Sequence, residues 1–255
     1  MYTIHQIREQ IKVCRACDLF KVGHGPVPFS GPAPNFLAIV GEAPGQMEDE
    51  QGEPFVGPAG QLMRDCLRGV GLDPDMISFL NTASCFPNRT PNAAEINACT
   101  TNLISQLEFI NPTWAVLVGN VALQAWRPDL KITRARGKVL TPPGRKWRMF
   151  VTFHPSFALR QYKAEQVLRA DLALLVQMID ADPLRGDEYN QLTDDACVGC
   201  GASVDELGEH DESLRFDSWN VPYCGQCWDR APQNQAVVKQ EKQITRQQER
   251  SGQLF

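Results

Sequence analysis

The stretch that most constrains this chain runs from residue 36 to residue 70. An apolar β-branched run, FLAIV (36–40), is followed by a glycine-rich acidic loop and then by a helical pattern. FLAIV is short and continuous, as a strand buried on both faces is. The loop, GEAPGQMEDEQGEPFVG (41–57), holds four glycines and two prolines among five carboxylates, so it combines backbone freedom with a high density of polar groups. Beyond it Leu62, Met63, Cys66, Leu67 and Val70 recur at helical spacing. The loop therefore leaves the carboxyl end of a strand, where open α/β sheets place their ligands. An acidic solvated turn has the same composition. What argues for a site is Phe55, an aromatic set between glycine and proline turns with no helical or strand stripe to join.

The flanking pattern repeats the alternation. A helix over 2–13 presents Cys14 and Cys17, and a Gly/Pro-rich passage leads to the first strand. SFLNTASC (78–85), WAVLVG (114–119) and RMFVTFHP (148–155) read as further strands. Helices are expected over 93–109, over NVALQAW with Asn120 as its cap, and from about 157 to 179. Such alternation predicts an α/β fold with a mostly parallel sheet covered on both faces. The chain of 255 residues has room for one domain of this kind and a small appendage. Expected boundaries are 1–182 for the α/β domain, 183–232 for a metal-bearing module and 233–255 for a glutamine-rich flexible tail.

No apolar run approaches the roughly 20 residues of a membrane span, and the amino terminus lacks the apolar core of a signal peptide, so a soluble, cytoplasmic protein is expected. Residues 1–180 carry 18 Lys+Arg against 16 Asp+Glu, whereas 181–255 carry 7 against 14, so the acidity belongs to the tail. Within the first part, Lys131, Arg134, Arg136, Lys138, Arg145, Lys146 and Arg148 run without an intervening acid. Folded onto one face they would make a phosphate-binding stripe; splayed, they are a solvated hairpin around the PPGR turn.

Nine cysteines in an intracellular protein argue for metal or catalysis rather than disulfides. Eight sort into two sets of four. Cys197-x2-Cys200 and Cys224-x2-Cys227, with 23 residues between the pairs, have zinc-ribbon spacing and predict a structural Zn2+ site. Cys14-x2-Cys17 pairs with Cys85 and Cys99 across a 67-residue gap, a looser set for which spacing alone leaves zinc and iron–sulfur both open. Cys66, on the apolar face of its helix, reads as a buried inert thiol.

Taken together, GEAPG, EDxxGxPFVGxAGxL, Asn81 at a strand end, Asn88-Arg89 with Pro91, and His154-Pro155-Ser156 before Leu159-Arg160 resemble the iron–sulfur (family 4) uracil-DNA glycosylases. The resemblance covers roughly residues 8–180 and has the cysteines 14, 17, 85 and 99 in the family's order. It implies a three-layer α/β/α sandwich and a 4Fe-4S cluster on that first set. It also implies an enzyme that flips a uracil or related pyrimidine out of DNA and hydrolyses its N-glycosidic bond, leaving an abasic site in base-excision repair.

Residue chemistry suits those roles. Cleavage develops positive charge on the sugar and negative charge on the leaving base, and the extruded base must be stacked and read along its edge. Phe55 supplies a stacking face and Asn81 an amide that matches O4 and N3–H, and Gly41 is counted with them as base-binding. By similarity Glu48 closes the C5 side against thymine. His154 donates toward the developing O2 anion, while Glu42 with Asn88 positions the attacking water. Arg89 and Ser156 are expected DNA contacts, with Leu159 or Arg160 filling the gap left by the flipped base.

The segment NTASCFPNR departs from the family pattern. It is two residues shorter between cysteine and asparagine, with Ser84 and Phe86 in place of basic residues. That departure motivates a second reading, excision of a bulky or hypermodified pyrimidine from phage DNA in anti-phage defence. A third reading is a non-catalytic DNA-binding adaptor, against which the intact Phe55, Asn81 and His154 count. The acidic ribbon segment suits a protein partner or a fold staple better than DNA. The final Ser-Gly-Gln-Leu-Phe loosely resembles the short peptides that bind sliding clamps.

Overall fold

The computed structural model describes residues 3–142 and 144–181, the side chain of Tyr162 excepted, together with the backbone of 215–216 and 222–223. Five strands form the main sheet: β1 (Leu37–Gly41), β2 (Ser78–Asn81), β3 (Trp114–Val118), β4 (Val139–Leu140) and β5 (Arg148–Thr152). Their order is β2-β1-β3-β5-β4, parallel except for β4, which runs antiparallel along β5 at the edge. The helices are α1 (Ile4–Lys12), α2 (Gln46–Gln51), α3 (Pro58–Gly69), α4 (Ala93–Ile110), α5 (Asn120–Gln124), α6 (Ile132–Ala135), α7 (Pro155–Ala158) and α8 (Tyr162–Asp180).

Because side chains alternate along a strand, the continuous apolar runs of β1, β3 and β5 feed two separate cores. Ile39, Phe79, Val116 and Phe150 pack against Met63 and Leu67 of α3 and Leu168, Leu172 and Leu175 of α8. Ala38, Val40, Leu80, Leu117 and Val151 face the other way, onto Ile7 of α1 and Leu103 and Leu107 of α4. The result is a three-layer α/β/α sandwich. The chain passes from β1 through α3 to β2, then through α4 to β3 on the other side of β1. Its strand order thus reverses beside β1, and the crevice at the carboxyl ends of the strands opens there.

Several elements differ from expectation. Residues 46–51 of the acidic loop form a helix, started by Gly45 and stopped by Gly52 in the left-handed region at φ 69°, and it buries Glu48 and Asp49. The strand from residue 78 leaves the sheet after Asn81, and the strand from residue 148 ends at Thr152. Gly119, not Asn120, precedes the first turn of α5. Its φ of 94° favours glycine, and the Asn120 side-chain oxygen instead accepts from Ile132 N–H at 3.4 Å. The expected helix over 157–179 is two, α7 and α8, separated by Leu159–Gln161.

Three members of the basic run are engaged within the fold. Arg136 pairs with Asp171, Arg145 pairs with Glu108 and lies over Trp147, and Arg148 lies over Trp114. Asp171, 3% exposed, also accepts from the Thr152 hydroxyl at 2.7 Å, tying α8 to the end of β5. Asp171→Ala leaves both donors uncompensated in a buried setting and is expected to cost about 2–4 kcal/mol. A urea midpoint lowered with unchanged slope would report it; an unmoved midpoint would show the pair to be neutral.

No described helix is long and apolar enough to cross a membrane. Arg215–Phe216 and Pro222–Tyr223 pair as a two-stranded antiparallel ladder just before Cys224. The expected zinc ligands Cys197, Cys200, Cys224 and Cys227, the tail and the clamp-like terminus lie outside the described residues.

Candidate active site

The strand ends carry the site. Gly41 closes β1 and Asn81 closes β2, side by side in register, while His154 lies two residues beyond β5. Glu48, Phe55, Asn81, His154 and Ser156 line one cavity of about 310 Å³, at the lower end of the size range of small-ligand sites. Gly41 stands behind it. A Cβ there would lie 2.3 Å from the Asn81 Oδ1 and 2.8 Å from Phe55 Cζ, so the absence of a side chain lets the amide and the ring approach the strand end.

Phe55 is 6% exposed and holds φ at 59°, a conformation that bulky residues rarely adopt. Three contacts hold it there. Its ring meets Phe79 at 5.2 Å, its carbonyl accepts from Arg64 Nε at 3.3 Å, and Gly60 lets that carbonyl pass where a Cβ would lie 2.1 Å away. Asn81 is buried, yet its side chain makes no hydrogen bond among the described residues, so its amide is left for a ligand. Glu48 reaches in from α2, and one carboxylate oxygen accepts from Gly57 N–H at 2.8 Å. Side chains at Gly45 or Gly57 would crowd that carboxylate.

His154 has a defined protonation. Its Nδ1 accepts from Ser156 N–H at 3.1 Å and lies 2.7 Å from the Ser156 hydroxyl. A backbone N–H only donates, so the ring is neutral and carries its proton on Nε2, a donor. Burial, reinforced by the charge of Arg160, pulls the imidazole down to about 4 from its usual value near 6.5. The folded state therefore binds this proton less readily than the unfolded chain. Stability from this group is complete above about pH 6.5 and declines as the pH falls to about 4, by roughly 3 kcal/mol. Urea titrations of the wild type and His154→Gln over that window should differ in slope; parallel curves would contradict the assignment.

The remaining expected residues stand outside the cavity lining. Glu42 is half-buried, and burial raises its carboxyl pKa, opposed by a hydrogen bond to Thr90 rather than to Asn88. Asn88 is exposed in the left-handed region at φ 53°. Arg89 is exposed and engaged by both carboxylate oxygens of Glu95, at 2.6 and 2.8 Å. Leu159, 52% exposed, and Arg160 follow α7 on the surface. Sequence reading passed over Met47, which lines the cavity while remaining 42% exposed. Its signal was an apolar residue alone in an acidic run.

The first cysteine set converges. Cys85 and Cys99 are buried, Cys14 and Cys17 partly so, and all are free thiols. Burial first, then the proximity of the other three, pushes Cys85 up to about 12. Burial likewise raises Cys99 to about 11, and its neighbours Cys17 and Cys14 add to this against a hydrogen bond from the Ser84 backbone. Antiparallel bridging of Pro26 to Cys85 closes the loop that brings them together. Among the described residues no three His, Cys, Asp or Glu side chains are gathered to hold a single metal ion, so the fit of this set to a metal group rests on its all-thiol chemistry. Cys66, 0% exposed, is raised by burial and stands apart from this set as an inert core thiol.

The strand-end cavity of this three-layer α/β/α fold, backed by an aromatic ring and bearing a free amide and a neutral imidazole, has the groups to stack on and hydrogen-bond a small planar heterocycle. The model of the uracil DNA glycosylase superfamily matches residues 27–175. Type-4 uracil-DNA glycosylases are among the relatives. That of Thermotoga maritima is 37% identical over 65% of this chain and 90% of its own length. Those of Archaeoglobus fulgidus and Pyrobaculum aerophilum are 35% and 34% identical over 67% of this chain, covering 90% and 92% of theirs. The chain belongs to the uracil DNA glycosylase superfamily.

Proposed function

We propose that this protein is a DNA glycosylase that extrudes uracil from DNA and hydrolyses its N-glycosidic bond, leaving an abasic site for base-excision repair. The observation that carries the proposal is the pairing of an uncommitted buried amide, Asn81, with an Nε2–H donor, His154, across one cavity against the Phe55 ring. The ring stacks on the flipped base, and the amide donates to O4 and accepts from N3–H. The fixed Glu48 carboxylate occupies the side where thymine carries its methyl group.

As the C1′–N1 bond breaks, its electron pair leaves with the base, and the negative charge is delocalised onto O2. His154 Nε2–H donates to that oxygen, a preorganised dipole where charge develops. Neutrality matters here, because a neutral imidazole donates its hydrogen bond without surrendering the proton. A water oxygen bonds to C1′, and its proton passes to Glu42, whose raised affinity for protons suits a carboxylate base. Asn88 is assigned to hold that water. Ser156, Leu159 and Arg160 are assigned to the DNA strand beside the vacated stack, and Arg89 to a phosphate on release from Glu95.

The four converging thiols, Cys14, Cys17, Cys85 and Cys99, suit a 4Fe-4S cluster as an all-sulfur donor set. Such a cluster would supply a cross-link between the 14–17 loop and the segment after β2, lowering the entropy cost of holding that long loop. Protein purified without oxygen should release free uracil from a uracil-bearing oligonucleotide and show cluster absorbance near 400 nm. Absence of uracil release from cluster-loaded protein would refute the proposed activity.

A further inference from the structure

Beside the base cavity, α2 carries a second buried carboxylate that the proposed chemistry does not use. Asp49 is 6% exposed, and both of its oxygens accept from His24 N–H, at 2.9 and 3.0 Å. One of them also lies 2.7 Å from His24 Nδ1. Gly23 makes room for this contact, since a Cβ there would fall 2.4 Å from the carboxylate. The loop so held follows Cys14 and Cys17 and runs on to Pro26, which bridges to Cys85. On the other side, the preceding residue in α2 is Glu48, whose carboxylate is pinned by Gly57 N–H in the cavity wall.

The buried residues of this six-residue helix are Glu48 and Asp49, so it presents no apolar face to the core. Here two adjacent carboxylates, about 100° apart around the helix axis, fasten it in two directions, one to the cavity and one to the cysteine loop. We propose that Asp49 is a positioning residue, which ties α2 to the loop between the cysteines and so holds Glu48, and with it Gln46 and Met47 of the same wall, against the bound base. This rests on the uracil glycosylase reading above. It gives the cysteine set a role in the cavity at a distance, through one hydrogen-bonded strut.

Two variants test it in the full chain, purified without oxygen. Asp49→Ala removes the strut, and Asp49→Asn keeps an acceptor of the same size. With cluster absorbance near 400 nm retained, Asp49→Ala should lose about 10- to 100-fold in kcat for uracil release, the scale of a small misplacement in a preorganised site. Asp49→Asn should recover most of the loss. Hydrogen exchange, which needs no substrate, should show the amides of His24 and Gly57 losing protection together in Asp49→Ala.

Unchanged kcat in both variants would overturn the proposal, as would loss of protection at His24 with Gly57 still protected. Loss of activity accompanied by loss of the cluster absorbance would also overturn it, because Asp49 would then act on the fold and not on Glu48. If the wild type releases no uracil, the exchange result at Gly57 still decides the strut, separately from the failure of the glycosylase reading.

Discussion

Replacing His154 by alanine is expected to slow uracil release by about 100- to 1,000-fold, the usual effect of removing one donor aimed at a developing oxyanion. The loss should fall on kcat with KM changed by less than about threefold, since the hydrogen bond strengthens only as charge builds on the base. The fold should survive. Losing the acceptor for Ser156 N–H removes the cap of a four-residue helix, at a cost of about 1 kcal/mol. His154 itself should impose no loss of activity down to about pH 5, because the ring stays neutral until the region of its depressed pKa, about 4; an acid limb that survives in His154→Ala belongs to Glu42, whose carboxyl pKa burial raises. A loss of activity centred near the usual imidazole value, with His154 responsible, would contradict the neutral-donor assignment.

Gly41→Ala is the second large effect. A methyl group at this strand end falls within 2.3 Å of the Asn81 Oδ1 and within 3.0 Å of two Phe55 ring carbons. Phe55 is held against Phe79 and by its own carbonyl, and Asn81 can yield only by moving into the cavity that it lines. Displacing the reading amide and the stacking ring together should lower kcat/KM by at least about 100-fold, with overpacking costing roughly 1–3 kcal/mol of stability. Steady-state kinetics with a urea titration would separate the two effects. Activity within a few-fold of the wild type would mean that Asn81 and Phe55 do not meet the base together.

Much of this was legible in the chain because the informative signals are local. FLAIV is an unbroken apolar run and the helix after it has a clear period, and the glycine-rich turn between them marks the ligand end of the sheet. His154 stands out where an apolar run stops, whereas Asn81, inside the run read as a strand over 78–85, stands out only through the family resemblance. Other features were hidden for a physical reason. Glu48 and Asp49 look like solvated charges in a turn, since hydropathy cannot anticipate that Gly57 N–H and His24 N–H will receive them in the interior. Arg136 looks like part of a basic stripe because its partner, Asp171, is 35 residues away. The break at Leu159–Gln161 contains neither glycine nor proline, so local propensity gives no warning of it. The convergence of Cys14 and Cys17 with Cys85 and Cys99 spans a long loop, and the residue types and their pairing signalled what distance in sequence obscured.

The measurement that bears most directly on the central claim is base release from matched oligonucleotides containing uracil, hydroxymethyluracil or glucosylated hydroxymethylcytosine. Wild type and Asn81→Ala would be compared, both purified without oxygen and matched for cluster absorbance. The account predicts free uracil from the wild type and its loss in Asn81→Ala, because the buried amide is the group that reads the base edge. Excision of a bulky modified base with uracil left in place, or uracil release indifferent to the loss of Asn81, would contradict it.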